Sequence, residues 1–231
     1  MVRELGVSKW GRGVVAGVAL MAVLTGCGDE DKGGDGGGSH KGAVGGAFGD
    51  GQKSASGISS TQQVGQALPS TRSLGDEWQL MNQPTLRDSA ETASACQKYS
   101  GTACTGVLAG GGNKFILESQ GSSAVFAEFS MYAVDSPENA KVVYQAMQTS
   151  MGQNAYGDLQ QETVDVGADE SYAYADSDGP HVMVRVGGTI ALIEVRGEDL
   201  DDTSKLETAE KYANLQAERI KKVAAGENPD A

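Results

Sequence analysis

Two short apolar segments separated by a pair of glycines constrain the fold of this chain most strongly. Residues 182–186 and 189–195 flank Gly187-Gly188, and a glycine pair between two such runs is typical of a β-hairpin with a two-residue turn. That turn pairs residue 186 with 189 and residue 184 with 191. Because side chains alternate between the faces of a strand, one face of the hairpin should lie in the core. The residues of that face are Val182, Val184, Val186, Ala191, Ile193 and Val195.

The reverse face of the hairpin has mixed chemistry. It carries the apolar residues Met183, Ile190 and Leu192 and the polar residues His181, Arg185, Glu194 and Arg196. Such a face is either the floor of a groove or a surface that loops partly cover, and the sequence leaves both open. We expect His181 to pair with Glu194 across the ladder rather than to act as a base. The four polar residues are the candidate binding residues.

The other patterns beyond residue 58 predict an α+β domain. Residues 124–134 alternate as a strand with unlike faces does, and Ser136-Pro137 is typical of a helix start. A long final helix is predicted over residues 203–225. Shorter strands are predicted at 107–108, 114–119, 163–166 and 171–174, and shorter helices at 61–68 and 90–97. We therefore predict an antiparallel sheet of about five strands, with the two main helices packed on one face.

An apolar run near the start of the chain predicts export. Residues 14–27 follow the basic residues Arg3, Lys9 and Arg12 and end in small residues, which is the layout of a secretory signal peptide. The run is too short for a permanent membrane-spanning helix, which needs about 20 apolar residues. Its last four residues, Leu24-Thr25-Gly26-Cys27, resemble the lipobox of bacterial lipoproteins.

The lipobox resemblance implies that Cys27 carries a diacylglyceryl group and becomes the N-terminus once residues 1–26 are removed. Two acyl chains hold a protein on a membrane where a single chain would release it. We therefore expect a protein anchored by lipid to the outer face of the cell membrane. The alternative is an ordinary signal peptide with a chance cysteine.

The residues after Cys27 predict a flexible tether. Residues 28–57 consist mainly of glycine, serine and charged residues, which bury too little apolar surface to offset the entropy cost of ordering. We expect a lipid-anchored linker over 27–57, an extracytoplasmic domain over 58–226, and a disordered tail over 227–231.

The charge of the chain limits its partners. The formal net charge is −13, and an acidic surface repels nucleic acid and anionic headgroups. No nucleic-acid partner is therefore expected. The expected partners are the membrane, through the diacylglyceryl-cysteine, and an unidentified small ligand or envelope protein. We expect the chain to be a monomer.

Two of the three cysteines are predicted to form a disulfide. If Cys27 carries lipid, Cys96 and Cys104 remain, and an even number of cysteines in an exported protein points to a disulfide. Closing so short a loop stabilises the fold by about 2–3 kcal/mol. A metal pair and two free thiols are the alternatives, although no further ligands of matching spacing accompany the pair.

The sequence carries no recognised catalytic motif. G-x-S-x-G, S-x-x-K and H-E-x-x-H do not occur, and His181 is the only histidine of the predicted domain. Asp176-Ser177-Asp178-Gly179 matches the first part of a calcium loop but lacks the later ligands, so we predict a turn. No catalytic residue, cofactor or metal site is expected. A hydrolase built on acidic residues is a minor alternative, because a carboxylate pair needs no local motif.

Several short motifs occur in an informative order. They are Leu68-Pro69, Leu74-Gly75 and Trp78, the Cys96/Cys104 pair, Val134 before Asp135-Ser136, Val166-Gly167 with Asp169-Glu170, and 184–187 before an Ala-rich last helix. Together they resemble actinobacterial sensor-domain lipoproteins, which are distantly similar to the extracellular domain of mycobacterial PknH-type Ser/Thr kinases. The resemblance implies an antiparallel sheet with helices against it and a cleft of unsettled ligand, and it supplies no catalytic residues. Ala168 interrupts the glycine-acidic turn of that pattern, and one cysteine pair stands where the kinase domains have two.

The expected function is that of a membrane-anchored lipoprotein with a non-catalytic, sensor-like domain that binds a ligand or a partner. A structural, lipid-carrying or chaperone-like envelope lipoprotein is the alternative. A continuous apolar cavity would favour lipid carriage, and a shallow polar groove around Arg185 and Arg196 would favour an anionic ligand. Two close carboxylates in a deep cleft would favour an enzyme.

Overall fold

The computed structural model describes residues 57–117, 124–153, 163–176, 178–198 and 200–231. The predicted signal peptide, Cys27 and the predicted tether up to residue 56 lie outside these described residues. The helices are α1 Thr61–Ala67, α2 Thr71–Leu74, α3 Ser89–Ser100, α4 Pro137–Gln153 and α5 Asp202–Ala224. The strands are β1 Trp78–Leu80, β2 Thr85–Arg87, β3 Val107–Leu117, β4 Val125–Val134, β5 Glu170–Asp176, β6 Gly179–Val186 and β7 Thr189–Gly197.

The strands form one antiparallel sheet in the order β1-β3-β4-β7-β6-β5, with β2 also paired to β3. The predicted α+β class with an antiparallel sheet is confirmed. The sheet has seven strands rather than about five. The sequence did not predict β1 and β2, because three residues are too few to establish an alternating pattern.

The predicted hairpin is confirmed with its register. Val186 lies opposite Thr189 and Val184 opposite Ala191. Gly187 has a φ of +55°, which residues with a side chain rarely adopt. The predicted core face is buried, with Val186 at its edge, and it packs against α5. The residues of α5 in this core are Ala209, Tyr212, Ala213, Ile220 and Val223.

The two main helices lie on opposite faces of the sheet, which corrects the expectation that they share one face. A second buried cluster lies on the reverse face of the hairpin. There Met183, Ile190 and Leu192 pack with apolar residues of α4, including Val143 and Met147. The sequence showed this face as mixed, but its apolar residues are numerous enough to bury a second helix.

Three consecutive glycines let other elements approach β3 closely, and β3 continues through them without the predicted break. A Cβ on Gly110 would lie 2.5 Å from Thr92 Cγ2 of α3, and a Cβ on Gly112 would lie 2.7 Å from the Phe129 carbonyl oxygen. Real Cβ contacts are not this short. The glycines therefore permit packing rather than end the strand.

Residues 163–166, predicted as a strand, pair with no strand among the described residues. Val164 instead accepts a hydrogen bond through its carbonyl from the Ser171 hydroxyl of β5. The segment is therefore attached to β5 by a side-chain hydrogen bond and does not join the sheet. Four alternating residues were too few to distinguish a paired strand from such an attached segment.

A buried arginine of α5 joins both ends of the described domain. Arg219 is 3 % exposed and donates hydrogen bonds to the carbonyls of Gln66, Ala67 and Leu68 at the end of α1. Its remaining nitrogen contacts Asp230 at 2.5 Å. Residues 227–231, expected to be a disordered tail, are thus placed against α5 because Asp230 supplies the counter-charge that a buried arginine requires.

Cys96 and Cys104 lie at disulfide distance, with Cα atoms 6.2 Å apart. The pair connects α3 to the loop that enters β3. No helix within the described ranges is both long enough and apolar enough to cross a membrane.

Candidate ligand-binding cleft

Four polar side chains form a row across neighbouring strands on the reverse face of the hairpin. Glu128 of β4 lies opposite Glu194 of β7, Glu194 opposite His181 of β6, and His181 opposite Tyr174 of β5. Because strand pairing places all four at one level of the sheet, their side chains project from the same face. We call these four residues the cross-strand row.

The cross-strand row forms the floor of a cleft of about 220 Å³. The end of α3 forms one wall with Lys98 and Tyr99, and the end of α4 forms another with Ser150 and Met151. The remaining lining residues are Ser130, Asp176, Asp178, Leu192 and Arg196. The open question about the reverse face is thus answered in two parts. Its apolar half is covered by α4, and its polar half is open.

His181 is held firmly in the floor of the cleft. Its Nε2 contacts Asp176 Oδ1 at 2.9 Å, its Nδ1 lies 3.7 Å from Glu194 Oε2, and its ring stacks on Tyr174 with centroids 4.7 Å apart. The predicted partner Glu194 is therefore the more distant of two carboxylates. Burial lowers the pKa of His181 below its usual 6.5, although Asp176 acts in the opposite direction. The imidazole is neutral at neutral pH and donates to Asp176 through Nε2.

Asp176 is an ionised acceptor at the edge of the cleft. Burial alone would raise the pKa of Asp176, but hydrogen bonds from His181 and from the backbone of Asp178 and Gly179 outweigh it, so the pKa is lowered. The Asp178 backbone N–H donates to Asp176 Oδ1 at 2.8 Å, which makes the predicted turn between β5 and β6. A carboxylate of this kind binds a donor but is not poised to give up a proton.

Each glutamate of the row has a cationic neighbour beside the cleft. Glu194 pairs with Arg196 of the same strand, and Arg196 Nη2 also lies 3.6 Å from Asp178 Oδ2. Glu128 lies 3.6 Å from Lys114 of β3. Glu128 and Glu194 themselves are directly opposite, and like charges in that position destabilise a sheet. The lining as a whole has four carboxylates, Lys98 and Arg196.

Two tyrosines provide the aromatic surface of the cleft. Tyr99 is 41 % exposed and packs edge-on against Tyr132. Tyr174 is 5 % exposed and stacks on Tyr172 and His181, and its hydroxyl forms no hydrogen bond with any described residue. Burial, followed by the charge of Asp176, raises the pKa of Tyr174, so its hydroxyl keeps its proton.

The structure brings three of the four candidate binding residues together and separates the fourth. His181, Glu194 and Arg196 line the cleft. Arg185 lies nearer the Gly187 turn, where it pairs with Glu170, contacts Asp169 Oδ2 at 3.3 Å and donates to the Gly187 carbonyl at 3.0 Å. Its charge is neutralised within the fold, and it does not line the cleft.

Other residues of the cleft were not predicted. Glu128 is on the polar side of a strand that the sequence predicts, but its neighbours depend on the pairing of β4 with β7, which is not local. Tyr174 and Asp176 come from β5, and Tyr99 comes from α3. The signal for Asp176 was the turn pattern at 176–179, which identified a turn without indicating that the carboxylate faces His181.

Two further hollows adjoin the cleft. One of about 130 Å³ shares Glu128 and Ser130 with it and extends to Arg87 and Asn82. The other, of about 560 Å³, shares Asp178 and Arg196 and extends to Lys205. Within the described residues, no group of three or more histidine, cysteine or carboxylate side chains is arranged to hold a metal ion.

The fold is similar to that of the extracellular domain of PknH from Mycobacterium tuberculosis. The match has a TM-score of 0.48 and 8 % sequence identity, and it covers 70 % of this chain and 96 % of that domain. The predicted resemblance to such domains is thereby confirmed as a distant structural likeness, too weak to support an argument about ligands. No protein-family model matches the sequence, and no curated protein matches it significantly.

Proposed function

We propose that this chain is a lipid-anchored extracytoplasmic lipoprotein whose folded domain binds a small polar ligand and does not catalyse a reaction. The observation that carries the binding function is the cleft above the cross-strand row, which gathers charged, aromatic and hydroxyl groups from six elements at one place. A few convergent polar groups in a concave site are typical of ligand binding.

The chemistry of the cleft supports binding over the other expectations. Its charged lining is unsuited to a lipid chain, because burying apolar chains against unpaired charges is unfavourable. Arg185 and Arg196 both have carboxylate partners, so neither supports an anionic ligand in the way the sequence suggested. A glycosidase-type reaction needs a carboxyl group that keeps its proton, and Asp176 is unsuited to that role because its pKa is lowered.

The anchor rests on the sequence alone. Leu24-Thr25-Gly26-Cys27 follows a leader with a basic flank, and a thioether-linked diacylglyceryl group on Cys27 would hold the domain at the membrane. The test is fractionation of cells that express the chain or its Cys27→Ser variant. The wild-type chain should sediment with membranes, and the variant should leave that fraction. A variant that still sediments with membranes contradicts the anchor.

The binding function is tested by thermal-shift screening of the full-length chain in detergent against envelope metabolites. A ligand at about 100 times its Kd stabilises the folded state by about 2.7 kcal/mol, which corresponds to roughly 5–10 °C in Tm for a domain of this size. Glu194→Gln should abolish the shift.

Glu207→Gln is the matched control, because it removes the same charge from the exposed face of α5, on the other side of the sheet. A ligand whose shift is equally reduced by both variants does not bind in the cleft. If no metabolite shifts the Tm and a pull-down from membranes captures nothing, the proposed binding function is wrong.

A further inference from the structure

The cleft has an unmet requirement for positive charge. Four of its lining residues are carboxylates and two are cations, and His181 is neutral because burial lowers its pKa. Arg196 is engaged by both Glu194 and Asp178. Lys98 is exposed at the end of α3, in the wall of the cleft.

The negative charge of the cleft floor is concentrated at Glu128 and Glu194. These residues are directly opposite on adjacent strands, where Cβ atoms lie about 4.5–5.5 Å apart. Lys114 approaches Glu128 only at 3.6 Å and from the outer side, on β3, while Arg196 approaches Glu194 along β7. Lys114 does not line the cleft, and Arg196 lines it but is already engaged by Glu194 and Asp178. A donor with positive charge that entered from the cleft could therefore contact both carboxylates.

A second feature of the cleft, independent of the carboxylates, offers a ligand a hydrogen bond. Tyr174 is more than nine-tenths buried as a residue and lines the cleft. A hydroxyl can both donate and accept, so a ligand in the cleft can hydrogen-bond to it.

The wall opposite the row suits a carbon chain or an organic cation. The exposed ring of Tyr99 lines the cleft close enough to Glu128 for that charge to raise the pKa of its hydroxyl, after the larger effect of burial. An ammonium group near a tyrosine ring is attracted by the ring electrons. The volume of about 220 Å³ is below the range of roughly 300–1,000 Å³ that drug-sized ligands occupy. A small molecule, or one end of a longer one, fits.

We infer that the cleft binds an alkylammonium group, held between Glu128 and Glu194, with its carbon chain against Tyr99 and a polar atom near the Tyr174 hydroxyl. The inference deepens the proposed binding function and rests on it. The ammonium group can belong to a free amine or to the side chain of a lysine-type residue in an envelope peptide, since both present the same chemistry.

Calorimetric titration of the full-length chain in detergent tests this inference with three probes of equal length. They are the diamine cadaverine, the neutral pentanediol and the dicarboxylate glutarate. Cadaverine should bind and the other two should not, and added salt should weaken its binding because the contacts are charged. Glu128→Gln should weaken cadaverine binding about 10- to 100-fold, as expected for a hydrogen bond to a charged group. Glu207→Gln should leave it unchanged.

The aromatic and hydroxyl contacts have their own variants. Tyr99→Phe keeps the ring and should retain cadaverine binding, whereas Tyr99→Leu should weaken it several-fold. Tyr174→Phe removes only the hydroxyl and should weaken binding of a probe that reaches it. Competition between cadaverine and a short lysine peptide distinguishes the two sources. Displacement at lower concentration by the peptide assigns the site to a peptide amine, and displacement only by free amines assigns it to a small molecule.

The outcomes separate this inference from the proposed function. Binding of glutarate in preference to cadaverine overturns the ammonium assignment and leaves a polar binding site in place. Failure of all three probes with a folded chain also overturns the assignment. The proposed binding function falls only if the metabolite screen gives no ligand as well.

Discussion

Replacing Arg219 should be the most damaging single change in the described domain outside its apolar core. Its guanidinium is 3 % exposed, donates to three carbonyls at 2.9–3.2 Å and contacts Asp230 at 2.5 Å. The Arg219→Met variant keeps most of the stem and its packing while it removes all four contacts. It therefore isolates the polar contribution of the side chain.

The size of the effect follows from what is left behind. Removing one partner of a buried ion pair costs about 3–5 kcal/mol. The lower end applies here, because the Asp230 side chain is 33 % exposed and can be hydrated in the variant. The carbonyls of residues 66–68 lose their donors, and each unsatisfied buried acceptor costs about 1–3 kcal/mol. We expect a loss of at least about 3 kcal/mol, a large part of the 5–15 kcal/mol that stabilises a typical domain.

Urea denaturation of the full-length chain in detergent measures this loss as a shift of the midpoint at constant slope. Lys222→Met is the matched control on the same helix. Lys222 is not buried, and its side chain donates to the Ala231 carbonyl at 3.3 Å, so its loss should cost less than about 0.5 kcal/mol. Limited proteolysis of the Arg219 variant should cut first near α1. If Arg219→Met lies within 1 kcal/mol of the wild type, water replaces the guanidinium and the reasoning is wrong.

Three further predictions concern the sheet, the cleft and the cysteines. Gly112→Ala should destabilise the domain by about 1–3 kcal/mol in urea melts, because the added Cβ would lie 2.7 Å from a backbone oxygen. The control is Gly65→Ala in α1, where the added Cβ would meet a flexible side chain at 3.3 Å. This variant should be neutral or stabilising. The pKa of His181 is lowered in the folded state, so the unfolded chain binds more protons, and the stability of the domain should fall as the pH drops from 6.5 to the folded pKa. The His181→Gln variant should lose this dependence of stability on pH. A dependence that persists in the variant contradicts the assignment. Cys104→Ser should lower the free energy of unfolding by about 2–3 kcal/mol. A reductant should destabilise the wild type but not this variant. Alkylation of Cys96 and Cys104 without reductant would show that they are not joined.

Local patterns predicted much of the fold because they report on single elements. The hairpin of β6 and β7 was predicted with its register, and α4 with its start, since the Ser136 hydroxyl accepts from the Asn139 backbone at 3.2 Å as the pattern indicates. The pairing of β4 with β7 and the placement of α4 and α5 on opposite faces depend on contacts distant in the sequence. Periodicity gives the faces of an element but does not say which neighbour each face meets.

The cleft shows the same limit. His181, Glu194 and Arg196 were predicted together because a single hairpin carries them. Arg185 lies on that same face beside the predicted turn, but alternation does not show that β5 brings Glu170 next to it. It sits at the turn end, where Glu170 neutralises it.

One departure from the local rules of sheet pairing lies in the floor of the cleft. A sheet is stabilised by opposite charges or apolar pairs at facing positions, yet Glu128 faces Glu194 at the centre of this one. This arrangement does not improve the fold, and Lys114 and Arg196 offset only part of the repulsion between the two glutamates. Sequences usually satisfy such rules except at functional sites, so the departure supports binding as the role of this surface.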